Sequence, residues 1–310
     1  MMDFENILLV KLRAIGDSVL TLPSLAELRK GFPRARISVL LPEHSIGLLA
    51  ADSRVDEVLA YPRKRLRSLA DHAEFYQSLQ AKHFDLAVCL HASLRTALIG
   101  WMSGAEARVI RNHSGPDWLS SIRASEPKEP KSIIERDFDA LRALGLRPKD
   151  ARPRLQISAA AKREAAALAK RAKLAHGRSV LLFPGAGKPE KRWPMERFRE
   201  LKAALDKKRI RSAWMLAPGE QGPAGALGVE NLLSLGALAA YAGYAIGNDS
   251  GPRHIAAAAG AKTLTLFGPE ALREWHPYER ADGHWALQAQ SGDIKDLTLD
   301  EVWRRMQDWM

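Results

Sequence analysis

The hydrophobic positions in the first half of the chain alternate between short apolar runs and stretches with helical spacing. Continuous apolar runs of strand length occur at 7–11, 37–41 and 85–90. The residues from 18 to 30 have the spacing of a helix, and Gly31 is placed to end it. Strands that are apolar throughout and alternate with helices are typical of parallel sheets covered on both faces. The pattern therefore predicts an α/β fold.

The same alternation resumes after a charged, proline-bearing stretch at 146–157, where no apolar period is visible. We place a domain boundary there, because a chain of 310 residues is long for one core. The expected domains are 1–156 and 157–310, each with a Rossmann-like sheet. The second is predicted to contain helices at 159–174, 194–206 and 297–310, and strands at 179–183, 212–217, 244–247 and 263–267.

The composition is that of an ordinary globular protein, with 46% hydrophobic and 27% charged residues. The single cysteine, Cys89, has no partner for an intrachain disulfide, which favours a cytoplasmic setting. The N-terminus lacks the features of a signal peptide, and no apolar run is long enough to cross a bilayer. Any membrane contact is therefore expected to be peripheral.

The formal net charge of +11 raises the question of a nucleic-acid partner. The excess is spread over both halves of the chain, and no basic arm is present. One local cluster, made of Arg63, Lys64, Arg65 and Arg67, has few aromatic residues nearby for base stacking. It suits an anionic small molecule or a lipid headgroup better, although a solvated loop explains it equally well. No nucleic-acid partner is expected.

The first candidate loop, 11–18, lies between the first predicted strand and helix, where open parallel sheets bind ligands. Asp17 would face a crevice there, or Asp17 or Ser18 would simply cap the helix. Gly16 is a single glycine and does not form a dinucleotide fingerprint.

The second candidate loop, 183–194, contains Gly187, Lys188 and Lys191. Its glycines let the backbone approach a ligand, and its lysines attract an anion. The alternative is an exposed basic loop with Trp193 packed beneath it.

The third candidate loop, 247–254, runs from an apolar strand into an alanine-rich helix and gives the strongest local signal. Free N–H groups at a helix start bind phosphate, and Gly251 leaves room for its approach. Its candidate residues are Asp249, Ser250, Gly251, Pro252 and His254. His254 is equally compatible with a hydrogen-bonded histidine of the core.

Two motifs in the sequence suggest chemistry that the surrounding pattern argues against. Residues 248–252 are similar to the nucleophile loop of trypsin-like proteases, but the parallel α/β context does not fit that fold. Asp137 and Asp139 look like a metal-binding pair, yet they lie in an amphipathic helical segment, where residues two apart diverge. We expect no metal and no cofactor.

Together the three loops resemble those of glycosyltransferase family 9, the heptosyltransferases that transfer heptose from ADP-heptose to the lipopolysaccharide inner core. The resemblance rests on residues 7–23, on 183–187 with 191–194, and on 248–257. It implies a GT-B architecture, with two Rossmann-like domains whose parallel sheets face each other across a cleft. It also implies that the helix at 297–310 crosses back to the N-terminal domain.

The same resemblance implies an inverting, metal-independent transfer from a nucleotide-sugar donor to an anionic glycolipid, in contact with the inner face of the membrane. Asp17 would be the general base. The implied donor-binding residues are Gly187, Lys188, Lys191, Glu220, Asp249, Ser250, Gly251, Pro252 and His254. The implied acceptor-binding residues are Gly16, Arg63, Lys64 and Arg67. The alternatives are a regulatory protein that binds nucleotide sugars, and an epimerase or hydrolase without transfer activity.

Overall fold

A computed structural model describes residues 3–91, 93–110, 117–124, 131–216 and 223–307. The chain forms two compact units, Met1–Pro153 and Arg154–Met310. The division falls inside the charged stretch at 146–157.

The N-terminal unit is built on a six-stranded sheet whose strand pairs are all parallel. Its strands are β1 (Asn6–Val10), β2 (Arg36–Pro42), β3 (Glu57–Tyr61), β4 (Leu86–Cys89), β5 (Ala107–Ile110) and β6 (Ile122–Arg123). Its helices are α1 (Ile15–Leu20), α2 (Leu22–Gly31), α3 (Leu69–Gln80), α4 (Leu94–Met102) and α5 (Ile133–Ala143). The strand order is β3-β2-β1-β4-β5-β6.

The C-terminal unit repeats this arrangement, with the order β9-β8-β7-β10-β11-β12 and parallel pairing throughout. Its strands are β7 (Ser179–Phe183), β8 (Ser212–Leu216), β9 (Leu227–Gly228), β10 (Gly243–Asn248), β11 (Lys262–Phe267) and β12 (His284–Gln288). Its helices are α6 (Ala159–Arg171), α7 (Met195–Lys207), α8 (Leu232–Ala242), α9 (Gly251–Ala258), α10 (Leu272–Trp275) and α11 (Leu299–Gln307).

Each sheet has one point at which the strand order reverses, between β1 and β4 in the first and between β7 and β10 in the second. Ligands of open parallel sheets bind outside the carboxyl ends of the strands at such a point. The loop after β1 and the loops after β7 and β10 are the three loops singled out from the sequence.

The predicted helix at 18–30 is two helices, and this corrects the description of the first loop. The first helix begins at Ile15, so Gly16 and Asp17 lie in its opening turn and not in a loop. It ends at Leu20, and the hydroxyl of the next residue, Thr21, donates to the Asp17 carbonyl over 2.9 Å. Pro23 explains the break, because it has no N–H to continue the helical hydrogen bonds.

A buried ion pair lies beneath the carboxyl ends of β1 and β4. Lys11 Nζ lies 2.6 Å from Asp137 Oδ2 and donates to the Leu90 carbonyl over 3.2 Å, and both charged side chains are fully buried. Asp139 lies on another side of α5 and pairs with Lys131 over 2.9 Å. The two aspartates of the apparent metal motif therefore point to different partners, as their helical spacing predicts.

The apolar face of α11 packs into the core of the C-terminal unit, where Val302 and Met306 are buried with Trp193 and Phe198. The crossing of this segment to the N-terminal domain stays a prediction. Among the described residues, no helix combines the length and the apolar character needed to span a bilayer.

Candidate functional site

The carboxyl ends of β7 and β10 are joined by the side chain of Asn248. Its Oδ1 accepts from the Trp193 backbone N–H over 3.0 Å, and its Nδ2 donates to the Pro184 carbonyl over 2.6 Å. Gly247 allows the two strands to come this close, because a Cβ at 247 would lie 2.5 Å from Phe183. Asn248 therefore fixes the second candidate loop against the third.

The start of α9 presents backbone N–H groups that no side chain caps. Ser250 is the N-cap residue, but its buried Oγ has no hydrogen-bond partner among the described residues. Pro252 in the first turn suits a helix start, where its missing N–H costs nothing. This helix start has the open donors and the dipole of an anion site.

Asp249 brings together the charged groups around this helix start. Its carboxylate lies 2.9 Å from Lys191 Nζ and 3.2 Å from Arg253 Nη2. Burial raises the pKa of Asp249, but the positive charges of Arg253 and Lys191 outweigh that effect and hold the pKa far below its ordinary value. The carboxylate is therefore charged at every physiological pH.

Lys191 connects the second and third loops to the loop after β11. Its Nζ lies 3.2 Å from Glu270 Oε1 as well as close to Asp249. Burial lowers the pKa of Lys191, but the two carboxylates more than compensate, so that the net shift is upward. A half-buried ammonium is thus kept charged at the edge of the sheet.

Glu270 was not predicted from the sequence as a site residue. Gln288 Nε2 holds its loop by donating to the carbonyls of Gly268 and Glu270 over 2.6 and 3.0 Å. A Cβ at 268 would lie only 2.6 Å from the Glu190 carbonyl oxygen, which shows how closely this loop approaches the Lys191 loop. Its position just after the apolar strand 263–267 was the signal that could have identified it.

Lys188 and Gly187 lie at the exposed rim of the same site. Lys188 Nζ is 3.6 Å from Glu270, and its side chain is 61% exposed. Trp193 is buried, and its Nε1 donates to the Leu297 carbonyl over 2.9 Å. The alternative interpretation of the segment 183–194, an exposed basic loop above a packed Trp193, therefore describes the position of this side chain. Glu220 lies outside the described residues.

His254 is buried, and both of its ring nitrogens are engaged. Arg253 Nη2 lies 2.9 Å from Nε2, and Tyr278 Oη lies 2.6 Å from Nδ1. A guanidinium can only donate, so Nε2 must accept and Nδ1 carries the proton that is donated to Tyr278. The environment of His254 is that of a hydrogen-bonded histidine of the core. Its ring packs against Arg253 and lies near Asp249, and so supports both side chains.

Three histidines lie close enough to Arg253 for its charge to affect their pKa values. His254 and His284 are buried, and His276 is partly buried. Burial, with the positive charge of Arg253 as the next cause, lowers the pKa of these residues to about 4, about 3 and about 4 respectively. All three are therefore neutral in the folded protein near neutral pH.

This cluster predicts a loss of stability in mild acid. The unfolded chain takes up protons on these histidines as the pH falls below about 6.5, whereas the folded protein does not, so stability is full above that pH and declines toward pH 4. Each histidine contributes a slope of about 1.4 kcal/mol per pH unit. Urea unfolding across this range gives the slope of the unfolding free energy against pH, and this slope should be smaller by one proton for His276→Gln than for the wild type. Equal slopes in the two proteins would contradict this assignment.

Asp17 lies in the N-terminal unit, buried in the first turn of α1. Ala14 occupies the N-cap position and no side chain caps this helix, so Asp17 does not serve as its cap. Its Oδ1 has no hydrogen-bond partner among the described residues and lies 3.8 Å from Arg13. This oxygen is buried, and no described group donates a hydrogen bond to it.

The basic residues Arg63, Lys64 and Arg67 are exposed on the segment between β3 and α3. The backbone of Arg67 donates to Asp71 over 2.9 Å, within the turn that starts α3. None of these three side chains forms an ion pair with another described residue. In all the residues that the structure describes, no group of three or more His, Cys, Asp or Glu residues is placed to hold a metal ion.

Comparison with known proteins supports a single family. The model of glycosyltransferase family 9 (heptosyltransferase) matches residues 72–298. The chain is 24% identical to lipopolysaccharide heptosyltransferase 3 of Escherichia coli over 311 residues, which cover 92% of this chain and 89% of that protein.

Solved structures show the same fold over both units. A family 9 glycosyl transferase from Veillonella parvula superposes with a TM-score of 0.86 at 19% identity, covering 99% of this chain and 97% of the other. E. coli ADP-heptose lipopolysaccharide heptosyltransferase II gives 0.80 at 22%, with 98% of each chain covered. E. coli heptosyltransferase WaaC with ADP-2-deoxy-2-fluoro heptose gives 0.77 at 20%, covering 98% and 99%.

The fold and the family match define a glycosyltransferase with the predicted GT-B fold class. The chain belongs to glycosyltransferase family 9, the heptosyltransferase family.

Proposed function

We propose that this protein transfers a heptose from ADP-heptose to an anionic acceptor of the lipopolysaccharide inner core. Its relatives include lipopolysaccharide heptosyltransferases, and one similar solved structure holds an ADP-heptose analogue. In this proposal the C-terminal unit binds the donor and the N-terminal unit binds the acceptor, in contact with the inner face of the cell membrane.

The observation that carries the donor assignment is the uncapped start of α9 next to the charged Lys191. The backbone at Ser250, Gly251 and Pro252 would hold the diphosphate, and Lys191 would contact it from the opposite loop, with Gly187 and Lys188 at the rim. Negative charge grows on the diphosphate as the sugar leaves, so these groups stabilise the transition state more than the ground state. They supply the charge that a metal ion would otherwise provide.

Asp249 would hold the sugar hydroxyls and keep Lys191 in place. Its carboxylate contacts Lys191 and Arg253 through one oxygen each, which leaves each oxygen further acceptor capacity. His254 would act through Arg253 and Asp249 and not by direct contact with the donor. Glu220 is proposed to contact the ribose on the resemblance alone.

Asp17 would be the general base of an inverting displacement. The acceptor hydroxyl loses its proton as it attacks the anomeric carbon, and a carboxylate beside it can receive that proton. Its Oδ1, to which no described group donates, fits this role. Gly16, Arg63, Lys64 and Arg67 would bind the acceptor, whose phosphate and carboxylate groups suit exposed basic side chains.

Product analysis tests this proposal. The protein is incubated in EDTA with ADP-heptose, with and without an inner-core acceptor, and the products are separated and their anomeric configuration is determined by NMR. We expect acceptor-dependent release of ADP and a glycoside of inverted configuration. Conversion or cleavage of the donor without acceptor would indicate an epimerase or hydrolase. Activity that appears only when a divalent cation is added would contradict the metal-independent mechanism.

A further inference from the structure

One layer of the N-terminal unit exposes large apolar side chains to solvent. Leu69 is 90% exposed, Trp118 75%, Leu94 57% and Trp101 51%. Leu69 begins α3, Leu94 and Trp101 lie on α4, and Trp118 lies in the 3-10 turn Asp117–Leu119. Such exposure of tryptophan in a protein with an ordinary core indicates an interaction surface.

These elements cover the same face of the sheet. Leu79 of α3, Ala97 of α4 and Leu119 of the 3-10 turn are buried together in one cluster with strand residues such as Val10 and Cys89. The helix α4 also packs against both α3 and the turn. The exposed residues of the three elements therefore point away from the sheet on the same side.

The outward side of α4 is apolar along its length. Leu94, Leu98 and Trp101 are spaced four and three residues apart, so they form one stripe. Leu98 is partly buried, and the residues at both ends of the stripe are exposed. Arg95 is also exposed beside this stripe and lies near Tyr76 of α3, where its charge opposes the rise in the pKa of Tyr76 that burial causes.

The charged side chains of α3 and of the segment before it are mostly basic, with Asp71 and Glu74 as the acidic residues on α3. The segment 63–67, with Arg63, Lys64, Arg65 and Arg67, leads directly into α3 and is exposed. Tryptophan together with arginine beside an apolar stripe is the composition that favours the interface between water and lipid. Basic side chains near such a surface are attracted by anionic headgroups.

We propose that Leu94, Leu98, Trp101 and Trp118, with Arg95, form a face that docks on an anionic phospholipid surface. The tryptophans would lie among the headgroups and the leucines at the start of the acyl region, while Arg95 and the segment 63–67 contact lipid phosphates. A second copy of the chain fits this face less well, because a symmetric dimer would bring its basic residues together. The proposal rests on the proposed function for the membrane contact and for the segment 63–67, which is also assigned there to the acceptor. The stripe on α4 is a surface apart from the donor site, and its binding to lipid can be measured without donor or acceptor.

Co-sedimentation with lipid vesicles tests this face without donor or acceptor. The probes are vesicles of phosphatidylcholine alone and of phosphatidylcholine mixed with phosphatidylglycerol. We expect the protein to bind the anionic vesicles, to bind neutral vesicles much more weakly, and to be released by high salt. The double variant Trp101→Ser/Trp118→Ser should bind about tenfold or more weakly, because each indole removes a large apolar area from water. Arg95→Gln should weaken binding about fivefold.

Ile46→Ser is the matched control, since Ile46 is an exposed apolar residue outside the α3 and α4 layer. The affinity of this variant for anionic vesicles should stay at the wild-type value. Thermal unfolding of each variant establishes that the fold is kept. The proposal is overturned if the wild type does not bind anionic vesicles, or if the double variant binds as well as the wild type. It is equally overturned if the wild type does not bind vesicles and light scattering shows that it is a dimer while the double variant is a monomer.

Discussion

Replacing Asp17 by asparagine is expected to lower kcat about 10²- to 10⁴-fold, which is the usual contribution of a general base. The amide keeps the size of the carboxylate but cannot take the proton of the acceptor hydroxyl. Because Asp17 belongs to the N-terminal unit and the proposed diphosphate site belongs to the other, affinity for ADP should not change. Steady-state turnover and calorimetric titration of ADP measure the two quantities separately.

Asp52→Asn is the matched control, because Asp52 is also a buried carboxylate of the N-terminal unit, but it pairs with Arg54 within its own turn. Its turnover should stay close to the wild-type rate. If Asp17→Asn kept turnover within tenfold of the wild type, Asp17 would not be the base. If both variants lost activity together with stability, the effect would be structural.

Replacing Asp137 by alanine is expected to lower the free energy of unfolding by about 3–5 kcal/mol, the cost of removing one partner from a buried ion pair. Lys11 would lose the carboxylate that lies 2.6 Å away in a fully buried environment. Because Lys11 directly precedes the loop that leads to Asp17, we also expect turnover to fall. Urea unfolding at neutral pH measures the stability change.

Asp139→Ala provides the comparison within the same helix. Its carboxylate pairs with Lys131 and Arg142, whose side chains are 31% and 40% exposed, so water can compensate much of the loss and we expect about 1 kcal/mol. The double variant Lys11→Met/Asp137→Leu should recover most of the stability, because it removes both buried charges. Equal losses for Asp137→Ala and Asp139→Ala would contradict this description of the ion pair.

The sequence predicted the parallel α/β fold because the central strands are apolar on both sides. The runs at 7–11, 179–183 and 263–267 all correspond to strands. It did not predict β3 or β12, whose residues are partly exposed and lack a continuous apolar run. The two-residue strands β6 and β9 are too short to produce any pattern.

The candidate site could be predicted in part, because both sheets place their ligand loops at the point where the strand order reverses. Lys191 and Asp249 are 58 positions apart, yet they meet because β7 and β10 are neighbours. The position of Glu270 after an apolar strand could have marked it as a candidate, but its contact with Lys191 and the role of Asn248 could not be predicted, since they depend on how three loops pack against each other. Nor could the sequence show that Arg253 occupies one nitrogen of His254.

Calorimetric titration of ADP, UDP and GDP in EDTA tests the central claim, that the start of α9 and Lys191 form a nucleotide-sugar donor site. We expect ADP to bind the wild type and Asp17→Ala alike, and to bind Lys191→Ala about 10- to 100-fold more weakly, because a charge-assisted contact to phosphate is lost. Failure of all three nucleotides to bind the wild type, or equal binding of ADP to wild type and Lys191→Ala, would contradict the account.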